Sequence, residues 1–291
     1  MISKNLLQTL TKNREMAAEL QMDIATTKQL RRPSDDPSGV LQLERFKSLQ
    51  SRNEQYLRNL MHVEGFLQQS ASAIDNISDT LSQVQQLARQ GGTDTLSAEA
   101  RASLANQVDN IMDTLVDLGN TKFKDKYIFA GTLNLGASPF TRAGDVVTYA
   151  GNGSDLRGKI GFDSEIAYNK TGADLFNPAG GVDIFATLAD LKAALESNDG
   201  NAILAASADL ETAERHILNV SAEVGVLQNR MSLTEQSIQN ENLNLQTFIS
   251  RLQDTDVAEA IVKYQTLETA ITAGLRTTSD VIQTSLVDFI R

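Results

Sequence analysis

The chain has 291 residues, a formal charge of −11 and 41% apolar residues, with no Trp, no Cys and only 15 Phe and Tyr together. Acidity on this scale argues against a nucleic-acid binder, because phosphate contacts need a basic footprint; residues 1–60, with ten Lys or Arg against seven Asp or Glu, are the one mildly basic stretch. The missing cysteines exclude disulfides, thiolate metal sites and cysteine nucleophiles, and no run of about 18 apolar residues offers a membrane-spanning helix.

Residues 2–31 carry Leu6, Leu10, Ala17, Leu20 and Ile24 at helical spacing, so a first helix is predicted there. MISKNLLQTLTKNREM has neither an apolar core nor a small-residue cleavage site, so no cleavable signal peptide is expected. The helix is then interrupted by RRPSDDPSG. Pro33 pushes Arg32 out of the helical region, whereas Asp36 before Pro37 is a helix start: the carboxylate accepts free backbone N–H groups, and proline in the first turn loses no hydrogen bond. Pro33, Ser34, Asp35, Asp36, Pro37 and Gly39 are therefore read as a stop and restart.

From Phe46 to Ala88 apolar residues alternate at steps of three and four for six heptads, with Asn53 and Ser70 as the polar exceptions. A second register runs from Leu210 to Leu252, broken by Thr234 and Glu241. A 3.5-residue repeat sustained over 43 residues, roughly 65 Å of helix, specifies a seam for partner helices. Equal lengths predict that the two helices pair antiparallel. Between them, a helix is predicted from Ala98 to Leu118 and another from Ile184 to Glu196. Ten of the 18 glycines and nine of the 15 aromatics fall between Phe123 and Phe185, a β and turn composition. Within it DVVTYAGNGSDLRGKIGF reads as a hairpin whose strands flank Gly151-Asn152-Gly153, with DKYIFAGTL and SEIAYNK as further strands.

After the second seam, Asp254 and Asp256 mark another break, with Asp256 placed to cap the last helix. That helix carries Val257, Ile261, Tyr264, Leu267, Ile271, Leu275, Ile282, Leu286 and Phe289 on a wide apolar stripe. The expected fold is mainly α with a small β-rich insertion. It is an elongated, coiled-coil-like antiparallel bundle of long helices, with the termini paired at one end and a β-rich head at the other. The divisions are 1–33 with 254–291 as a terminal helical module, 34–122 with 200–253 as the long-helix part, and 123–199 as the head. Asp35 and Asp36 are better explained as caps than as metal ligands or catalytic carboxylates, and His62 and His216 flank the seams. No nucleophile-and-base constellation or cofactor motif stands out, so no enzyme is expected.

RRPSDDPSG resembles the N-terminal signature of the flagellin superfamily, and its Pro-Ser-Asp-Asp-Pro form resembles the hook-filament junction members rather than the Ala-Asp-Asp-Ala-Ala type usual in filament flagellins. KYIFAGT, PFT, YAGNG and GADLF follow in the order seen in those members, as does an ending that runs from DTDVAEAIVKY through TLETAITAGL to SLVDFI. The resemblance implies a structural protein of the bacterial flagellum, located outside the cell, that joins hook to filament by self-assembly. It implies assembly through Leu6, Leu10, Leu20, Ile24, Ile261, Tyr264, Leu267, Ile271, Leu275, Ile282, Leu286 and Phe289 of the terminal helices. The implied partners are copies of itself, the other hook-associated junction protein on the hook side, flagellin on the filament side, and a cytoplasmic export chaperone at the C-terminal region, with export by the flagellar type III apparatus. Two alternatives stay open: a short flagellin forming the filament itself, and a soluble coiled-coil binding module.

Overall fold

The structure is a computed structural model that describes the backbone of residues 2–289 and the side chains of residues 5–279. The described residues form α1 (Ile2–Thr26), α2 (Pro37–Gly91), α3 (Ala98–Gly119), β1 (Lys122–Phe123), β2 (Lys126–Tyr127), β3 (Phe140–Ala143), β4 (Val146–Tyr149), β5 (Arg157–Lys159), β6 (Glu165–Ala167), α4 (Gly172–Phe176), α5 (Ile184–Glu196), α6 (Gly200–Gln253) and α7 (Val257–Phe289). The fold is mainly α with a small β-rich insertion. Two compact units make it up: Met1–Arg52 with Asn240–Arg291, and Asn53–Gln239.

In the unit of residues 53–239, the seam of α2 buries Leu60, Val63, Leu67, Ile74, Ile77, Leu81, Val84 and Ala88, and that of α6 buries Leu210, Ala213, Ile217, Val220, Val224 and Met231. The two helices run antiparallel. Ser221 Oγ donates to Asp75 Oδ1, while Ser82 and Gln85 donate to the Glu214 carboxylate, so seven residues forward on α2 match seven back on α6. Ser70 is buried within the seam and its hydroxyl returns to the Phe66 carbonyl at 2.9 Å, the usual way a helical serine satisfies itself without a partner. Asn53 is also buried, and its Nδ2 has no hydrogen-bond acceptor among the described residues. Leu104, Val108, Met112 and Leu115 of α3 and Ile184, Leu188, Leu191 and Leu195 of α5 complete the same core. Ser97 and Asp183 cap these two helices through their side chains.

The β-rich part consists of three separate antiparallel pairs, β1–β2, β3–β4 and β5–β6. This corrects the expected hairpin around Gly151-Asn152-Gly153. Val146–Tyr149 pairs backwards with Phe140–Ala143 across a Gly144-Asp145 turn, and Arg157–Lys159 pairs forwards with Glu165–Ala167. Gly144, at φ 64°, supplies the left-handed conformation that a two-residue hairpin loop needs. Asn152 serves instead as a clasp. Its Oδ1 accepts the Thr132 N–H at 2.9 Å and its Nδ2 donates to Thr132 Oγ1 at 2.7 Å. Gly131 lies at φ 65° with the Asn152 carbonyl 2.3 Å from where a Cβ would stand, so only glycine fits there.

Phe140 ties this region to the helices, with ring centroids 4.9 Å from Tyr149 and Phe176 and 5.7 Å from Phe185. Gly119 and Gly172 lie against its ring closely enough that a Cβ would stand 2.7 and 2.5 Å from ring carbons. Beside this cluster, Arg142 pairs with Asp109 and, at 2.6 Å, with Asp113, while Lys192 reaches Asp109 at 2.9 Å and Asp145 at 2.6 Å. α3, α5 and the β3–β4 hairpin are thereby joined. The hydrogen bonds from Lys192 and Arg142 hold the Asp109 carboxyl below the usual carboxylate value, and those from Lys192 to Asp145 and Asp109 raise its own pKa to about 12.

A group whose pKa is lowered by folding stabilises the fold above its unfolded value, and that contribution is lost as pH falls through the folded value. The melting temperature is therefore expected to drop below about pH 4, with a shallower acid slope in Asp109→Asn, as followed by circular dichroism across a pH series. Lys192 has the opposite sign: its contribution is full below the ordinary lysine pKa and is lost as pH rises through about 12. Gly172→Ala is expected to cost about 1–3 kcal/mol by overpacking Phe140 and Tyr149, measured by urea unfolding.

Candidate assembly surface

The unit of residues 1–52 and 240–291 contains the break between α1 and α2 and the break between α6 and α7, and the two breaks meet. Lys28 and Asp254 form an isolated antiparallel bridge. The Gln29 N–H donates to the Gln253 carbonyl at 2.8 Å and the Thr255 N–H to the Thr27 carbonyl at 3.0 Å, with the Gln29 side-chain amide on the Leu252 carbonyl. Helix ends leave carbonyls and N–H groups without intrahelical partners, and here two ends satisfy one another. Thr27 sits at φ 56°, an unfavourable conformation for a β-branched residue, and one that ends α1.

Each predicted capping residue has a definite place. Asp35 Oδ2 accepts the backbone N–H groups of Arg31 at 3.2 Å and Arg32 at 2.8 Å, with the Ser34 hydroxyl on Oδ1. Asp36 Oδ1 accepts the N–H and hydroxyl of Ser38 at 3.0 and 2.8 Å, and Pro37 opens α2. The Arg32 N–H lowers the Asp35 pKa, and the Gly39 N–H, followed by the Ser38 hydroxyl, lowers that of Asp36. Gly39 is buried, and a Cβ there would stand 2.5 Å from Asp36 Oδ2 and 3.1 Å from a methyl of Leu30. Pro33 and Ser34 are exposed. Asp256 Oδ1 accepts the N–H groups of Ala258 and Glu259 at 3.0 and 3.1 Å at the start of α7, while Asp254 takes the Ser250 hydroxyl at 2.6 Å. An Arg31–Asp23 ion pair at 2.7 Å fastens the loop to α1.

From this joint α1 and α7 run antiparallel, Leu10 packing where a Cβ on Gly274 would stand 3.1 Å from its methyl carbon. Of the predicted stripe, Leu10 is buried, and Leu6, Leu20, Ile24, Tyr264, Leu267 and Ile271 are half-buried. Ile261 and Leu275 are 39% and 46% exposed. The side chains of Ile282, Leu286 and Phe289 lie outside the described residues. Ala17 and Ala260 are also buried, so the contact between the helices is built largely on small residues and partial coverage. At the far end of the unit Leu43 and Leu245 are buried, and Phe46 stacks on Phe248 with ring centroids 5.6 Å apart. Glu241, a polar break in the second seam, is exposed. The backbone pairing of residues 27–29 with 253–255 has no side-chain signature in the sequence. Gly274, an isolated glycine within an apolar helical pattern, is the one legible sign of close approach.

Residues 1–134 match the bacterial flagellin N-terminal helical region, and residues 208–290 match the bacterial flagellin C-terminal helical region. The chain belongs to the bacterial flagellin superfamily. This is a superfamily of flagellar structural proteins, not enzymes, and the chain is accordingly a flagellar protein. Over 296 residues it is 26% identical to flagellar hook-associated protein 3 of Salmonella typhimurium, covering 94% of this chain and 92% of that protein. The protein of the same name from Escherichia coli is 24% identical over 286 residues, covering 90% and 89%. The crystal structure of flagellar hook-associated protein 3 from Legionella pneumophila shares the fold, with a TM-score of 0.64 at 15% identity over 72% of this chain and 98% of that one.

The joint makes three expectations measurable by hydrogen exchange and thermal unfolding of the full chain. Asp256→Ala removes the acceptor for two N–H groups and costs about 1 kcal/mol, and Asp36→Ala accelerates exchange in the first turn of α2. Thr27→Gly relieves the left-handed strain and stabilises by about 1 kcal/mol.

Proposed function

We propose that the chain forms the junction between the flagellar hook and the flagellin filament, self-assembling through its terminal helices. The observation that carries this reading is similarity to flagellar hook-associated protein 3 along nine-tenths of both chains, including the middle region that neither flagellin helical model matches. On this reading residues 1–33 and 254–291 are the assembling module. The caps at Asp36 and Asp256 fix where it begins, and Leu6, Leu10, Leu20, Ile24, Ile261, Tyr264, Leu267, Ile271, Leu275, Ile282, Leu286 and Phe289 supply its apolar contacts. Exposure of Ile261, Val262 and Leu275 on α7 is consistent with a surface that a monomer leaves unfilled.

The neighbours are copies of the same chain, the other hook-associated junction protein on the hook side and flagellin on the filament side, in a structure outside the cell. The type III flagellar apparatus exports the chain, and a cytoplasmic chaperone covers the C-terminal region beforehand. Residues 34–122 with 200–253 form the supporting long-helix part and residues 123–199 a β-rich head.

A strain lacking the chain tests this directly. Electron microscopy is expected to show hooks without filaments, with flagellin shed into the medium; normal filaments would overturn the proposal. In a complemented strain Leu275→Asp is expected to leave helical content and melting temperature near those of the original chain while filaments are lost, since Leu275 is exposed in the isolated chain. Filament formation at the original level would remove Leu275 from the assembling surface.

A further inference from the structure

The acid excess of the chain lies entirely on residues 53–239, where 13 Lys or Arg stand against 24 Asp or Glu. Carboxylates are plentiful there, and Arg142, Lys170 and Lys192 each hold one. Lys124, Lys126 and Lys159 have no ion-pair partner among the described residues, and all three gather about His62.

His62 borders a cleft of about 270 Å³ between α2 and β5. Gly158 lets the strand approach the helix, since a Cβ there would stand 3.0 Å from a Val63 methyl, and Asn59 Nδ2 fastens it by donating to the Lys159 carbonyl at 2.7 Å. Arg157 and Lys159 line the cleft from β5, and no carboxylate is in its lining. The β1–β2 turn approaches from the other direction. The Phe123 ring lies 5.8 Å from the His62 ring, and Lys124 Nζ lies 5.1 Å from the Phe123 centroid. Burial, followed by the charges of Lys124 and Lys126, holds the His62 pKa below its ordinary value. Of the four cations around this space, Arg157 alone has a carboxylate in ion-pair range among the described residues, Asp155 at 3.6 Å, and both of those side chains are more than half exposed.

The turn that presents Lys124 is costly. Lys124 at φ 47° and Asp125 at φ 65° both occupy the left-handed region, as a two-residue hairpin loop requires, but Asn or Gly meets that requirement with less strain than Lys. A cation kept there against local preference points to a use other than folding.

We propose that this cleft binds acidic polysaccharide, seating one acidic sugar unit among Lys124, Lys126, Arg157 and Lys159. The space is below the roughly 300–1,000 Å³ of a site that encloses a whole small-molecule ligand. It suits one unit of a longer chain. A carboxylate or sulfate on that unit supplies the counter-charge the cations lack, and hydroxyls match a largely polar lining. A protein partner fits less well, because protein interfaces centre on apolar anchors in desolvated pockets, and Val63, the one aliphatic side chain in the lining, is already buried. Nucleic acid carries a charge every ~1.7 Å of duplex and would be repelled by the surrounding −11, whereas a polymer with one acid per sugar brings fewer charges to the same surface. Such polymers are met outside the cell, the location proposed above; the junction role itself is not required.

The purified full chain tests this by fluorescence titration with labelled alginate, a uronate polymer, and with chondroitin sulfate, beside neutral dextran and poly-glutamate. Both acidic polysaccharides are expected to bind, more weakly as salt is added, and dextran is not. Lys124→Asn eases the turn while removing its charge. Combined with Lys126→Gln and Lys159→Gln, it is expected to weaken binding by about tenfold with the melting temperature no lower, while Arg230→Gln, an exposed cation of α6 outside the cleft, changes binding by less than about twofold. His62 and His216 are the only histidines, so histidine NMR reads the cleft directly. A bound acid offsets Lys124 and Lys126 of the β1–β2 turn and Arg157 and Lys159 of β5, and the His62 titration midpoint is expected to rise. Binding to neither acidic polysaccharide would overturn the proposal, as would binding that the triple variant retains, a His62 midpoint that does not move, or poly-glutamate bound as tightly as alginate. None of these outcomes bears on junction formation, which the strain lacking the chain decides separately.

Discussion

Burial along a repeating seam is the constraint from which the rest of this protein follows. α2 and α6 have 55 and 54 residues, and most of the stability of helices this long comes from the faces they bury rather than from intrinsic propensity. In residues 53–239 the two seams bury a continuous row of Leu, Ile, Val and Ala, with only rare polar interruptions. The Asp75–Ser221 and Gln85–Glu214 hydrogen bonds sit at the edge of that row. They fix the antiparallel register but are too few to supply the energy. α3 and α5 lie on the same core, so the β-rich insertion has a firm base.

That insertion is small, and none of its sheets exceeds two strands. Isolated two-stranded pairs are marginal in water, so its order derives from what the pairs rest on. Phe140 packs between Tyr149, Phe176 and Phe185. Arg142 and Lys192 join one hairpin to two helices through Asp109. The Arg142 side chain is only 12% exposed, so removing its carboxylate partners would leave a cation poorly placed to recover its hydration.

The terminal unit follows a different principle. Its breaks are capped by side chains and joined by backbone hydrogen bonds, yet among the described side chains of α1 and α7 only Leu10, Ala17 and Ala260 are fully buried apolar residues. Strong local specification with weak mutual burial produces helices whose course is defined and whose apolar surface is left over. The self-assembly proposed above would use that surplus, because a subunit that completes its core only against its neighbours couples folding of its ends to assembly.

The sequence by itself determined the elements whose causes are local. The heptad seams, the helix at Ile184–Glu196, the stop and restart at Pro33–Pro37 and the cap at Asp256 all rest on contacts within about four residues or on a period that one chain displays alone. Tertiary structure decided what depends on partners. Val146–Tyr149 pairs with Phe140–Ala143 instead of Arg157–Lys159 because Gly144 closes a tighter loop and Asn152 is drawn off to Thr132, a choice between strands that alternation alone cannot rank. Likewise the stripe on α7 shows that the helix is apolar, but not which of its residues α1 covers. Leu267 is half-buried and Leu275 exposed because burial depends on which side of α7 a second helix lies against, and the backbone pairing of residues 27–29 with 253–255 brings the two helices together where they begin.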